Sequence, residues 1–288
     1  MKEIVVLSGK GGTGKTTITA SFAALAHKKI LVDCDVDAAD LHLIFKPTVL
    51  ETHQFFGGKS AFIDKDLCTA CGKCGEICRY DAVNLANKEI NKFLCEGCSA
   101  CSHFCPTGAI KMEDDLSGYW FISHSPYGPF VHARLGIAEE NSGKLVSLIR
   151  SKARALAEKE KAQLIINDGS PGIGCPVIAS ITGADYVLIV VEPTLSGIHD
   201  LKRVVQLANH FNIPTGVCIN KIDINPQMAD KISRYCTENN IKVLGSLPYD
   251  NCVTKAQVAQ KPVVVEYPER EISKKIQDLW KEVEKALS

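Results

Sequence analysis

Eight of the thirteen cysteines lie between residues 68 and 105, and their spacing is regular. Cys68, Cys71, Cys74 and Cys78 form the run C-x2-C-x2-C-x3-C, and Cys95, Cys98, Cys101 and Cys105 repeat it, with Pro106 following. Three thiolates at consecutive i, i+3, i+6 spacing with a remote fourth suit a cubane iron-sulfur cluster. The alternative is tetrahedral zinc, which more often draws on two separated C-x2-C pairs. The segment is an internal duplication. IDKDLCTACGKCGEICRYDAV (63 to 83) lies over INKFLCEGCSACSHFCPTGAI (90 to 110) at an offset of 27, matching every cysteine, Ile63 with Ile90 and Ala82 with Ala109.

A second chemical signal stands some sixty positions earlier. GKGGTGKT, Gly9 to Thr16, fits G-x-x-x-x-G-K-[ST] between an apolar strand pattern and a helical one, the context that makes this phosphate-loop match specific. In such a loop the backbone N–H groups of Gly9, Lys10, Gly11, Gly12, Thr13 and Gly14 turn toward phosphate oxygens, and the helix N-terminus behind adds a favourable field. Lys15 is then expected at the β- and γ-phosphates, Thr16 on magnesium and Thr17 at the α-phosphate.

Elements must position these groups. Apolar runs at IVVL (4 to 7), ILVD (30 to 33), YWFI (119 to 122), LIIN (164 to 167), YVLIVV (186 to 191), GVCIN (216 to 220) and KVLGS (242 to 246) read as strands. Helical patterns at roughly 15 to 27, 143 to 160, 197 to 211, 227 to 239 and 269 to 287 fall between or after them. This rhythm predicts an α/β fold with a doubly wound, mainly parallel sheet. The rhythm breaks from about 60 to 113, so the expected organisation is a discontinuous nucleotide-binding domain, 1–59 and 114–288, carrying a small inserted α+β domain at 60–113.

The string KGGTGKT resembles the deviant phosphate loop of the MinD, ParA, Mrp and nitrogenase iron-protein families, and the resemblance extends over nearly the whole chain. It implies a Mg-dependent, ATP-hydrolysing homodimer closed through the nucleotide face, with Lys10 reaching the partner's nucleotide. LVDCDVDAAD ends a strand with Asp33 and Asp35, and LIINDGSPGIG ends another with Asp168 before Gly169, Gly172 and Gly174. The resemblance makes Asp35 the switch I carboxylate and Asp168 the Walker B position, so that Thr16, Asp35 and Asp168 form the magnesium site. Lys10, Lys15, Asp35 and Asp168 are the residues implied to carry hydrolysis. Asn220, Lys221 and Asp223 of NKID are placed at the base, as is Pro248 of LPYD. NKID also spells the guanine-binding N-K-x-D, so base choice turns on whether Asp223 reaches the ring; the rest of the pattern favours ATP.

The cysteine repeat resembles a bacterial-type two-cluster ferredoxin, in which the fourth cysteine of each run ligates the other cluster. That implies Cys68, Cys71, Cys74 and Cys105 for one 4Fe-4S cluster, and Cys95, Cys98, Cys101 and Cys78 for the second. Arg79 departs from the pattern where the second run has Pro106. Cys175 stands where the nitrogenase iron protein holds a shared cluster, and is either a labile ligand or an inert loop cysteine. Cys34, Cys218 and Cys236 fit buried hydrophobic positions.

Together these features lead to an ATP-driven electron-transfer protein with a redox or cluster-assembly partner. The other readings are an Mrp-type cluster carrier and a MinD- or ParA-like positioning switch with structural clusters. The 33 basic and 33 acidic residues cancel, so bulk charge suggests no nucleic-acid partner. With no signal-peptide core or membrane-length apolar run, the expected location is cytoplasmic. The C-terminal pattern puts Ile272, Ile276, Leu279, Val283 and Leu287 on one face, and the five basic and five acidic residues of 269 to 288 fit packing on the core better than stable membrane anchoring. The stretch 132 to 146, with His132, Glu139, Glu140 and Lys144, reads as a solvated helix start.

Overall fold

The structure is a computed structural model and describes residues 1–136 and 141–288. Two compact units are present: Met1–His53, Trp120–Arg134 and Ser142–Ser288 in the larger, and Gln54–Tyr119 with the described residues of Leu135–Asn141 in the smaller. The larger unit begins with β1 (Lys2–Ser8), α1 (Lys15–Leu25), β2 (Lys29–Asp33) and α2 (Leu41–Phe45). β3 (Thr48–Ile63) then carries the chain into the smaller unit, which contains α3 (Lys73–Ile77), β4 (Val83–Asn84), β5 (Glu89–Ile90) and α4 (Ala100–His103). β6 (Ile110–Ser125) returns to the larger unit and is joined by a short turn to β7 (Gly128–Leu135). After α5 (Ser142–Lys159) come β8 (Leu164–Pro171), α6 (Cys175–Ile181), β9 (Tyr186–Val191), α7 (Leu195–His210), β10 (Thr215–Asn220), α8 (Pro226–Glu238) and β11 (Lys242–Leu247). Three helices close the chain: α9 (Cys252–Val258), α10 (Val263–Glu266) and α11 (Glu271–Leu287).

The fold is α/β with a large, mostly parallel sheet in the order β11-β10-β9-β1-β8-β2-β7-β6-β3. Every pairing from β11 through β7 is parallel. Alternation along β1 sorts the core into two layers. Ile4 and Val6 pack with Phe22 of α1 and with Ile272, Ile276, Leu279, Trp280 and Val283 of α11. Val5 and Leu7 face the other way, onto Val177 of α6, Leu201 and Val204 of α7 and Ile232 of α8. The apolar face of α11 expected from its spacing is buried, Leu287 included. Cys34, Cys218 and Cys236 are buried as well.

The segment 132 to 146 corrects an expectation. His132 lies in β7, where Phe130 and Val131 pair with Leu31 and Val32 of β2, and the helix starts only at Ser142. Strand pairing decides the conformation there, and His132 is buried, its ring stacked on Phe130 at 4.5 Å and bonded to Ser123 Oγ at 2.9 Å. Glu139 and Glu140 lie outside the described residues. The expected strand at 119 to 122 is part of the 16-residue β6, whose polar first half carried no apolar signal.

Candidate nucleotide and cysteine sites

The phosphate loop joins β1 to α1 at the carboxyl end of the parallel strands, where ligands bind in open α/β sheets. Gly14 is required there: its φ is +96°, and a Cβ would stand 2.3 Å from Asn220 Nδ2. Asn220 Nδ2 itself donates to Thr13 O at 2.7 Å, and Lys221 Nζ donates to Gly12 O at 2.9 Å, so the end of β10 holds the loop.

Lys15 is nearly enclosed and its ammonium lies 2.9 Å from Asp168 Oδ1 and 3.6 Å from Asp35 Oδ2. Burial alone would lower its pKa, but Asp168, Asp35 and Asp33 together raise it. Asp33 and Asp168 are register neighbours on β2 and β8. Asp33 is fully buried and accepts from the backbone N–H of Asp35 at 3.1 Å and of Leu41 at 3.2 Å. Burial, followed by the nearby Asp168, pushes its pKa well up. Burial also pushes Asp35 up to about 6. Asp168 Oδ1 accepts from Thr19 Oγ1 at 3.0 Å, whereas its Oδ2 is buried with no hydrogen-bond partner.

With Asp33 held toward its neutral form, Asp35 and Asp168 still outnumber Lys15 in charge, and an orphaned, buried carboxylate oxygen is what a hard divalent cation would satisfy. These residues therefore fit magnesium. Thr16 is the second residue of α1, next to Lys15.

A cavity enclosing about 670 Å³ of empty space, open to solvent, adjoins the loop. Its walls include Gly12, Thr17, Asn220, Pro248, Tyr249 and Gln257. Thr17 Oγ1 accepts from Gln257 Nε2 at 3.0 Å, so Thr17 faces this cavity. Asp223 does not line it; Asp223 Oδ1 accepts from Tyr249 N at 2.8 Å and thereby orders the 247–250 loop. Lys10 points within its own chain, its ammonium paired with Glu192 and 3.2 Å from Ser196 Oγ. Glu192 and Gln257 had not been singled out from the sequence. Glu192 carried a signal, since it directly follows the apolar run of β9; Gln257, ten residues past Leu247, carried none.

In the smaller unit the duplication is visible in the backbone. Positive φ recurs at Ala70 and Gly97, at Gly72 and Ser99, and at Asp81 and Gly108, each pair 27 residues apart. Asp64 N donates to Ala109 O and Asn91 N to Ala82 O, both at 2.7 Å, so each repeat bonds its counterpart in the same way. Two cavities follow. One, with about 430 Å³ of empty space including its open mouth, is lined by Cys68, Cys71, Cys74 and Cys105, with Ile63, Leu85 and Ile110 among its apolar walls. The other, of about 360 Å³, is lined by Cys78, Cys95, Cys98 and Cys101, with Ala61, Ile90 and Met112. Pro106 lines the first and Arg79 does not line the second.

Each cavity thus draws three cysteines from one repeat and the fourth from the other. Among the described residues no three His, Cys, Asp or Glu side chains converge on a point suited to a single metal ion. Tetrahedral zinc, with bonds of about 2.3 Å, would bring its sulfurs to within about 4 Å of one another. Four thiols around each cavity are a donor set for a thiolate-held metal centre. Cys68 Sγ accepts from Ala70 N at 3.4 Å. Burial raises the pKa of Cys74 and Cys101, while at Cys105 the Thr107 hydroxyl and backbone N–H groups outweigh burial and lower it. Cys175 lies elsewhere, exposed at the first turn of α6.

Fold and loop together define a P-loop nucleotide-binding protein. Residues 4–263 match the family described as the CobQ/CobB/MinD/ParA nucleotide binding domain (CbiA), and the chain belongs to that family. An uncharacterized protein of Methanocaldococcus jannaschii is 32% identical over 284 residues, covering 98% of this chain and 96% of its own. An uncharacterized ATP-binding protein of the same organism is 25% identical, over 96% of this chain and 85% of its own. Among solved structures, the septum site-determining protein MinD of Pyrococcus horikoshii, complexed with Mg-ADP, aligns with a TM-score of 0.61 at 17% identity, over 99% of this chain and 96% of that one. The cell division ATPase MinD of Pyrococcus furiosus aligns at 0.60 and 17% identity, over 99% and 98%. At such identities the likeness shows the fold.

Proposed function

We propose that this chain is a Mg-dependent ATPase that couples nucleotide-driven changes in a homodimer to electron transfer, through two 4Fe-4S clusters, to a redox or cluster-assembly partner. The observation that carries the reading is the pair of cavities, each ringed by four cysteines shared between the repeats. Cys68, Cys71, Cys74 and Cys105 would hold one cluster, and Cys78, Cys95, Cys98 and Cys101 the other. Such clusters supply one-electron chemistry at potentials set by the protein around them.

At the nucleotide, Lys15 would neutralise the β- and γ-phosphates, released from Asp168 and Asp35 as those carboxylates turn to magnesium with Thr16. Asp35 is also placed to orient the attacking water. Lys10 would act on the nucleotide of a second copy, adding positive charge where the transferring phosphoryl group needs it. Asn220 and Pro248 suit an adenine in the adjoining cavity, and the engagement of Asp223 with Tyr249 N favours ATP over GTP. A partition-type switch with structural clusters draws support from the MinD-like fold, yet such a switch needs no second cluster. Among the described residues no helix is long and apolar enough to cross a membrane.

The test is anaerobic. The reduced, cluster-loaded protein is mixed with an oxidised viologen dye under Mg-ATP, Mg-ADP or no nucleotide, beside Lys15→Ala. Transfer several-fold faster with Mg-ATP, together with a loss of both that acceleration and at least about a hundredfold of hydrolysis in Lys15→Ala, is expected. Transfer rates indifferent to nucleotide would refute the coupling and favour the switch.

A further inference from the structure

Lys10 is held by a built contact. Its ammonium pairs with Glu192 and stands 3.2 Å from Ser196 Oγ. Glu192 directly follows β9 and Ser196 lies in the first turn of α7, so both belong to one strand-to-helix junction. That junction is tightly defined: Thr194 caps α7 by accepting from Gly197 N at 2.9 Å, and a Cβ on Gly197 would meet Glu192 O at 2.3 Å. Glu192 also pairs with Lys221 at 3.3 Å, and Lys221 in turn bonds Gly12 O. One carboxylate thus bridges two lysines that belong to or touch the phosphate loop. Burial pushes the Glu192 carboxyl up, but hydrogen bonds from Lys10 and Lys221 outweigh it and hold it below the usual range.

We infer that Glu192 is a positioning residue that keeps Lys10 on its own subunit and must release it before Lys10 can serve a nucleotide bound by a second copy of the chain. This inference rests on the trans-acting role given to Lys10 above. The contact can open because Lys10 is about a third exposed, its side-chain relative exposure being 34% against 16% for Glu192. Opening does not strand a charge, since Lys221 remains on the Glu192 carboxylate. A triphosphate presented by a partner carries more negative charge than one carboxylate, so the exchange is favoured when ATP is bound. The latch therefore sets a threshold on dimer closure.

The test is sedimentation velocity of the full-length, cluster-loaded protein with Mg-ATP, comparing wild type with Glu192→Gln, Ser196→Ala and Lys10→Ala. Removing one partly exposed ion pair per protomer, two per dimer, should let Glu192→Gln dimerise between about twofold and thirtyfold more tightly. Ser196→Ala should shift in the same direction by less. Added salt should narrow the gap between wild type and Glu192→Gln, because it screens the pair only wild type possesses. A purely structural role for Glu192 would weaken dimerisation, never tighten it. If Glu192→Gln dimerises no more tightly while Lys10→Ala loses dimerisation, the latch is overturned and the trans-acting lysine stands. Should Glu192→Gln prove misfolded by its melting curve, Ser196→Ala decides, and no tightening there overturns the latch. Absence of ATP-dependent dimers in wild type, or their persistence in Lys10→Ala, overturns both.

Discussion

The phosphate-loop region and the cysteine region are built on opposite principles. Around Lys15 the polypeptide supplies its own counter-charges, Asp168 of β8 at 2.9 Å and Asp35 just past β2 at 3.6 Å, beside strands clamped between two apolar layers. The nucleotide pocket is therefore framed before any ligand arrives. Around the eight cysteines the polypeptide supplies little besides donors. The buried apolar cluster there is only Ala61, Ile63 and Ile110, with the small Ala82 and Ala109 buried nearby, and the cysteines themselves fill much of the surrounding contact. Phe93, Phe104 and Tyr80 are exposed. A segment with so small a core needs a cross-link, and clusters held by both repeats would provide one. One region is organised by an extensive core of its own, and the other has little core.

The widest contrast should appear on removing iron. Chelation under reducing conditions is expected to cost residues 64–109 more than about a thousandfold in amide-exchange protection while leaving the strands around the phosphate loop protected. Equal protection in loaded and stripped protein would erase the contrast.

A somewhat smaller effect belongs to the larger unit alone. Burial, with His42 nearby, lowers the His132 pKa to about 4, whereas an unfolded histidine titrates near about 6.5. The unfolded chain then binds more protons between those values, so stability is complete above about pH 6.5 and falls as pH drops toward about 4, by about 3 kcal/mol in all. Melting curves of wild type and His132→Gln across that range should show the slope flattened in the variant, without change in the smaller unit.

The smallest effect is a twofold one, and it sharpens the description of the cysteine region. With ligands shared between repeats, Cys71→Ser and Cys78→Ser each damage a different cluster, so each single variant keeps about half the iron and the double variant loses nearly all. If each run were self-contained, the double variant would retain as much iron as the single ones.

Much of this arrangement was legible in the sequence, for reasons that differ between the regions. The loop GKGGTGKT and the paired cysteine runs are local patterns in which spacing encodes geometry, and the strand runs of β1, β2, β8, β9, β10 and β11 are continuous enough to read as buried parallel strands. Asp35, two residues past β2, and Asp168, within β8 and not at its end as the apolar run suggested, are both brought to Lys15. What escaped depends on distant partners. His132 joins β7 only because β2 lies beside it, and Gln257 meets Thr17 across 240 residues. The acidic first half of β6 gains strand structure from pairing in the sheet more than from propensity. Glu192 matters because of where Lys10 turns, which no local pattern around either residue records.

The central claim is that nucleotide state reaches the clusters. The chain passes from Asp35 through α2 and β3 into the cysteine unit, so these two elements alone separate Asp35 from the first repeat along the backbone. The most direct measurement is an anaerobic, EPR-monitored redox titration of the loaded protein with Mg-ADP and then with a non-hydrolysable Mg-ATP analogue. The account predicts that at least one cluster potential moves by roughly 30 to 60 mV between the two states, a threefold to tenfold change in the one-electron equilibrium. Identical potentials in both, with nucleotide shown to be bound, would contradict it.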